Sequence, residues 1–410
     1  MLRRLTTVLL FLIALSSSAF ATCNQWQISH MEYNSNFNDC AWQYDPPNTV
    51  HRYVAPGALG DATGVDAANA MSLSGFKAYQ RSITAPHRFH FAAGSYNIPY
   101  KGTIDLVSDV TPSPFMRIEG AGDSTEFVGN YVSGGPRHSY NYTIFHIHRP
   151  TMVIQNLKVR NADDPFFSWG VDRFRLMNVT IDTAARPIHL PKDVTASNNT
   201  WIMSSITVRN YHSFGIRMGG AATSNLRIVN SNFDAGTVPH DCWIGGIQLF
   251  GPMANIEITN GSVKNNIGNC AAGTYQQGDG VEMDNASFPE DASGHPRDVM
   301  ITGLAVENNG DGGLDLKASN VRVENVSLLN SGHYHLRNWF FGAYRHKNIT
   351  FGGTGGKIQI MGANTLWEEA ATAPLASEVK CEPNFAHNPG ARGVFLENPD
   401  LSLTTIKACP

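Results

Sequence analysis

Short alternations of apolar and polar residues recur along this chain with the two-residue period of a strand. One phrase reads Ile154-Gln155-Asn156-Leu157-Lys158-Val159 and then Leu176-Met177-Asn178-Val179-Thr180-Ile181. It returns as Ile258-Thr259-Asn260-Gly261-Ser262-Val263, Ile301-Thr302-Gly303-Leu304-Ala305-Val306 and Val323-Glu324-Asn325-Val326-Ser327-Leu328. Weaker copies surround Ser205, Asn230 and Asn348, and successive copies lie about 22–43 residues apart. A second phrase follows the first in most copies: Pro187-Ile188-His189-Leu190, Gly215-Ile216-Arg217-Met218, Gly246-Ile247-Gln248-Leu249, Gly280-Val281-Glu282-Met283, Gly313-Leu314-Asp315-Leu316 and Tyr334-His335-Leu336-Arg337.

Each repeat therefore carries at least two short strands parted by Gly and Asn turns, with no long helical pattern between them. A propeller blade needs four strands with hairpin signals, and hairpin signals are few. The pattern predicts an all-β chain wound as a right-handed parallel β-helix of nine or more coils, the inward Ile, Val, Leu and Met stacking into one core. Such a stack needs a cap at each end. The expected organisation is a leader over 1–21, an N-terminal capping region over 22–78, the β-helix over 79–365 and a C-terminal capping tail over 366–410.

The segment ahead of the repeats, Phe89-His90-Phe91-Ala92-Ala93-Gly94-Ser95-Tyr96-Asn97-Ile98 followed by Arg117-Ile118-Glu119-Gly120-Ala121-Gly122, resembles the entry coils of pectin-lyase-like β-helix proteins. The resemblance covers roughly residues 52–365 and implies the same fold. It fixes no single activity.

The start of the chain changes the picture of where the protein works. Arg3 and Arg4, an apolar run from Val8 to Leu15 and the stretch Ala19-Phe20-Ala21 form the order of a secretory signal. The apolar run is too short to span a bilayer, which takes about 20 residues. A secreted protein, extracellular or periplasmic, with no membrane span is expected. Six cysteines lie beyond the signal, and export permits disulfides. The local pairs Cys23–Cys40, Cys242–Cys270 and Cys381–Cys409 are the expected ones. A net charge of −4 argues against a nucleic-acid partner, and a monomer is expected. Seven N-x-[ST] patterns, at Asn141, Asn178, Asn198, Asn260, Asn285, Asn325 and Asn348, read first as turn residues, because Asn tolerates left-handed turns and bonds its neighbours in a ladder.

Register then locates the chemistry. A coil advances about 4.8 Å, so equivalent residues of successive coils are neighbours. The outward column of the second phrase reads His189, Arg217, Gln248, Glu282, Asp315, His335, and the next reads Pro191, Gly219, Phe250, Asp284, Lys317, Arg337. Asp279 and Asp311 precede the same strands. Two carboxylates about 5 Å apart repel by roughly 3 kcal/mol at an effective dielectric near 20. Lys317 and Arg337 offset part of this, and a bound Ca²⁺ would offset more.

Acids interleaved with bases suit β-elimination on a uronic-acid polymer, in which the proton next to the sugar carboxylate is removed. Lys317 is the expected base, Arg337 the group that binds the substrate carboxylate or assists the leaving group, and His335 the alternative base. Asp279, Glu282, Asp284, Asp311 and Asp315 are the expected Ca²⁺ ligands. Arg217, His189 and Gln248 extend the face for substrate, and Tyr334 and Trp339, in a cluster with Phe340, Phe341 and Tyr344, offer rings for sugar faces. The run Gly310-Asp311-Gly312-Gly313-Leu314-Asp315-Leu316-Lys317 resembles the calcium-binding coil of one pectate lyase family, although Gly312 stands where that pattern has a second Asp. Glu282, Asp284, Lys317 and Arg337 also resemble the acid, Lys and Arg set of alginate lyases and chondroitinase B. Both resemblances imply an acidic polysaccharide as substrate. A glycoside hydrolase, a uronan C5-epimerase and a non-catalytic carbohydrate-binding β-helix use similar surfaces and stay open at this point.

Overall fold

A computed structural model describes residues 45–132, 142–169, 173–190, 199–219, 223–284, 294–339, 343–382 and 392–409. They wind into a right-handed parallel β-helix whose coils share a 16-stranded and an 11-stranded sheet. The first sequence phrase lies in the long strands of the larger sheet, among them Arg173–Ala184, Arg297–Asn309 and Ser319–Ser331. The second phrase forms the short strands of the smaller sheet, among them Gly245–Phe250, Asp279–Asp284 and Gly312–Leu316.

The inward column of the long strands runs Ile154, Leu176, Met203, Ile228, Ile258, Ile301, Val323, each opposite the next. All of them are buried. Burying an aliphatic side chain of this size contributes about 1.5–3 kcal/mol, so the stacked column adds cohesion at every step from coil to coil.

The long strands turn corners through residues in the left-handed region. Asn156, Asn178, Asn230, Asn260, Asn325 and Asn348 have φ between 49° and 57°. Their amides also bond from coil to coil: Asn178 Nδ2 donates to Asn156 Oδ1 at 3.1 Å, and Asn348 Nδ2 to Asn325 Oδ1 at 2.8 Å. Gly303, at φ 65°, replaces Asn in this ladder, where a Cβ would come within 2.3 Å of Asn260 Oδ1. Turn architecture thus accounts for Asn178, Asn260, Asn325 and Asn348. Asn141, Asn198 and Asn285 lie outside the described residues.

Short elements pack at both ends of the described stack. The helix Leu73–Tyr79 seats buried Phe76 edge-on against Phe89 and Phe91. At the other end Gly393–Glu397 pairs in parallel with Asn364–Trp367 and then antiparallel with Leu403–Ala408. Parallel pairing already starts at Val50–Val54 and extends to Gly393–Glu397, so the ladders reach beyond 79–365 on both sides. Cys242–Cys270 and Cys381–Cys409 are disulfide-bonded. Cys23–Cys40 and the leader at 1–21 lie outside the described residues. Among the described residues no helix is long and apolar enough to cross a membrane.

Candidate active site

The outward face of the 11-stranded sheet carries the site. Its central column runs Arg217, Gln248, Glu282, Asp315, Arg337, Gln359, each residue directly opposite the next. Alternation forces this arrangement: Val281, Met283, Leu314, Leu316 and Leu336 point into the core, so the residues between them point out. His189 lies one coil before Arg217, as expected.

One register differs from the sequence-based expectation. Asp315 faces Arg337 and not His335. A two-residue shift leaves the in–out alternation unchanged, whereas a one-residue slip would reverse it, so apolar periodicity alone does not detect the shift. His335 is buried at 1% exposure, with Nδ1 3.1 Å from Ser331 Oγ and its ring 5.9 Å from that of Phe351. Burial lowers its pKa. Buried in this way, it stands outside the outward column that carries Glu282, Asp315 and Arg337.

The acids and bases form one connected network. Lys317 Nζ lies 3.1 Å from Asp315 Oδ2, 3.7 Å from Asp284 Oδ1 and 4.8 Å from the centre of the Trp339 ring. Arg337 donates from Nε to Gln359 Oε1 at 2.7 Å, from Nη1 to Asp315 Oδ2 at 3.4 Å and from Nη2 to Asp311 Oδ1 at 3.1 Å. Trp339 Nε1 donates to Asp315 Oδ1 at 2.5 Å. Gln248 Nε2 donates to Glu282 Oε2 at 2.8 Å. The Gly312 amide donates to Asp279 Oδ1 at 2.9 Å.

Two contributors carry no periodic signal or only a faint one. Tyr275 sits in the loop ahead of Asp279–Asp284, shortly after Cys270 of the Cys242–Cys270 disulfide. Its hydroxyl donates to Asp311 Oδ1 at 2.6 Å, and Arg337 Nη2 donates to that hydroxyl at 3.4 Å. Its ring stacks on His333 at 4.6 Å, while half its surface stays exposed. Gln359 was available from the phrase Gly356-Lys357-Ile358-Gln359-Ile360-Met361, a further copy of the second pattern.

Burial and charge divide the carboxyls into two groups. Burial, reinforced by Asp315, Glu282 and Asp311, pushes Asp279 well above the usual carboxylate range. Burial, opposed by Lys317, brings Glu282 up to about 7. Asp315 is pushed up by burial as well, but Lys317, Arg337 and the Trp339 N–H outweigh this and hold it below its ordinary value. Burial alone would lower Lys317. Asp315, Glu282 and Asp284 overcome that and raise it, so it is an ammonium at every physiological pH. A lysine held in this form does not suit the expected role of base; Arg337 belongs to the Asp315 column and its charge is taken up by Asp311 and Asp315.

The expected Ca²⁺ ligands do not leave a cation cage. Among the described residues no group of three or more His, Cys, Asp or Glu is placed to hold a metal ion. Both oxygens of Asp315 already accept from protein donors.

The remaining expected residues surround this network. Arg217 lies over the rings of Phe214 and Phe250 at 5.0 and 5.5 Å. His189 pairs with buried Asp164, Nδ1 to Oδ1 at 3.4 Å. Tyr334 stands opposite Gly312, with Lys380 Nζ 5.6 Å from its ring centre. Tyr344 is buried and donates to the Leu316 and Ala318 carbonyls at 2.6 and 2.8 Å, so it holds the coil and offers no ring to a sugar. Phe340 and Phe341 lie outside the described residues.

No protein-family model and no curated protein matches the chain. Among solved structures, pectate lyase Pel9A superposes with a TM-score of 0.51 at 16% identity, over 75% of this chain and 78% of its own. The A-module of the mannuronan C-5 epimerase AlgE6 of Azotobacter vinelandii gives 0.43 at 13% identity, over 72% of this chain and 81% of its own. A rhamnogalacturonan lyase gives 0.41 at 11% identity, over 82% and 88%. The likeness to Pel9A is one of fold: this chain is a parallel β-helix protein.

Proposed function

We propose that the protein is a secreted polysaccharide lyase that cleaves a uronic-acid polymer by β-elimination. The observation that carries this reading is the outward face of two successive coils, where Glu282 and Asp284 stand beside the Lys317 ammonium over the Trp339 ring. The parallel β-helix fold supports it, since Pel9A, a pectate lyase, is built the same way.

Charge permits an anionic substrate. Asp284, Asp311 and Asp315 are matched by Lys317, Arg337 and Arg217, burial favours the protonated form of Asp279, and Glu282 is near its midpoint at neutral pH. The roles follow from protonation state. Lys317, fixed as an ammonium, neutralises the sugar carboxylate and makes the adjacent C–H more acidic. Glu282, up at about 7, is poised to take that proton. The electron pair forms the C4–C5 double bond and the C4–O bond breaks. The Tyr275 hydroxyl, pushed up to about 12 by burial and Asp311, keeps its proton at neutral pH and gives it to the leaving alkoxide. Exchange with water then resets Glu282 and Tyr275. Trp339 supplies a ring at the same place.

One observation favours a second reading. A glutamic acid near 7 beside an ionised aspartate is also the acid half of a glycoside hydrolase pair. Pectate, alginate and chondroitin, each assayed for the ultraviolet absorbance of unsaturated uronate and for new reducing ends, separate the two. Both signals together are expected, and reducing ends without absorbance would establish hydrolysis.

A further inference from the structure

The carboxylates of this site are satisfied from within the chain. Arg337 reaches across the Asp315 coil: Nη1 is 3.4 Å from Asp315 Oδ2 and Nη2 is 3.1 Å from Asp311 Oδ1. Its third arm, Nε, is fixed at 2.7 Å to Gln359 Oε1 on the following strand. The guanidinium is 8% exposed and cannot swing out without leaving two buried acids behind. Three further donors reach the cluster. Asp315 Oδ1 accepts from Trp339, Asp311 Oδ1 also accepts from Tyr275, and Asp279 Oδ1 accepts from the Gly312 amide.

Gly312 is part of the arrangement. A Cβ there would come within 2.6 Å of Asp279 Oδ1, so no further acid can enter the cluster at this position without displacing Asp279. The backbone N–H takes the place on Asp279 that a cation would otherwise claim.

We infer that Arg337 is a built-in counter-ion, lodged between Asp311 and Asp315 where a divalent cation would bind, and that the protein is independent of calcium. This does not rest on the reaction proposed above, because it concerns only what fills the carboxylate cluster. A planar guanidinium suits the task, since its fork bonds two carboxylates at once and it keeps its charge at all pH values.

The test uses the full-length protein with calcium chloride as the probe, read by thermal unfolding and calorimetry and not by turnover. Wild-type protein is expected to show the same Tm with calcium or with a chelator, and no heat of calcium binding. Arg337→Gln, which leaves Asp311 and Asp315 without their cation, is expected to have a lowered Tm that millimolar calcium raises by several degrees. Stoichiometric calcium binding to the wild type, or a fall in its Tm on chelation, would overturn the inference. So would an Arg337→Gln protein as stable as wild type without calcium. If that variant does not fold, the wild-type arm alone decides.

Discussion

Glu282 and Lys317 lie on successive coils, Lys317 two residues beyond the Asp315 that stands opposite Glu282, and their protonation states are set by the same few neighbours. Glu282 is raised to about 7 by burial. Its contribution to stability is therefore full below the unfolded glutamate pKa, about 4.3, and is lost as pH rises through 7. The variant Glu282→Gln should consequently lose turnover yet gain about 1–2 kcal/mol of stability at pH 8 relative to wild type. Denaturant titrations at pH 5 and pH 8 check this, the gain being small at the lower pH. The same ionisation gives turnover its acid limb: kcat/KM should fall about tenfold per pH unit well below 7. Lys317 behaves differently. It is 9% exposed and ion-paired to Asp315 and Asp284, so Lys317→Met should abolish turnover and also destabilise by about 1–3 kcal/mol, because a buried carboxylate loses a partner. Circular dichroism with thermal unfolding reads both the retained fold and the loss.

Strands and turns of this fold are written in short-range pattern, and the site between them only in part. Alternation in the second phrase correctly aligns Gln248, Glu282 and Asp315, because each phrase carries Gly or Pro at its head. The phrase at Tyr334 lacks that marker, and its register is set by the pairing of Leu314 with Leu336, which puts Arg337 opposite Asp315. Tyr275 comes from a loop with no period, held by its bond to Asp311 and its stacking on His333. The charge state of Lys317 was likewise not legible, since it depends on which carboxylates lie within 4 Å. The Asn ladder was legible because left-handed φ selects so few residues. At φ 53° Asn325 accepts from Asn348. Asn325→Ala should cost about 1–2 kcal/mol, and Asn325→Gly clearly less, by equilibrium unfolding. Equal losses would show that the side-chain bond, and not the turn, is what Asn325 supplies.

The described residues form one continuous stack, and each coil touches chiefly its neighbours. That geometry explains how residues from Arg217 to Gln359, far apart in sequence, line one face without any tertiary motif beyond repetition. It also explains why fold and function separate here: the core column is apolar throughout, while chemistry occupies the outward positions of a few coils. The disulfides Cys242–Cys270 and Cys381–Cys409 are compatible with an oxidising compartment, in line with a secreted protein. The most direct test of the central claim is the ultraviolet absorbance of unsaturated uronate when purified protein meets pectate, alginate or chondroitin. Absorbance should rise with at least one of them for the wild type and stay flat for Glu282→Gln. Wild-type protein that releases reducing ends from these polymers while absorbance stays flat would contradict the account.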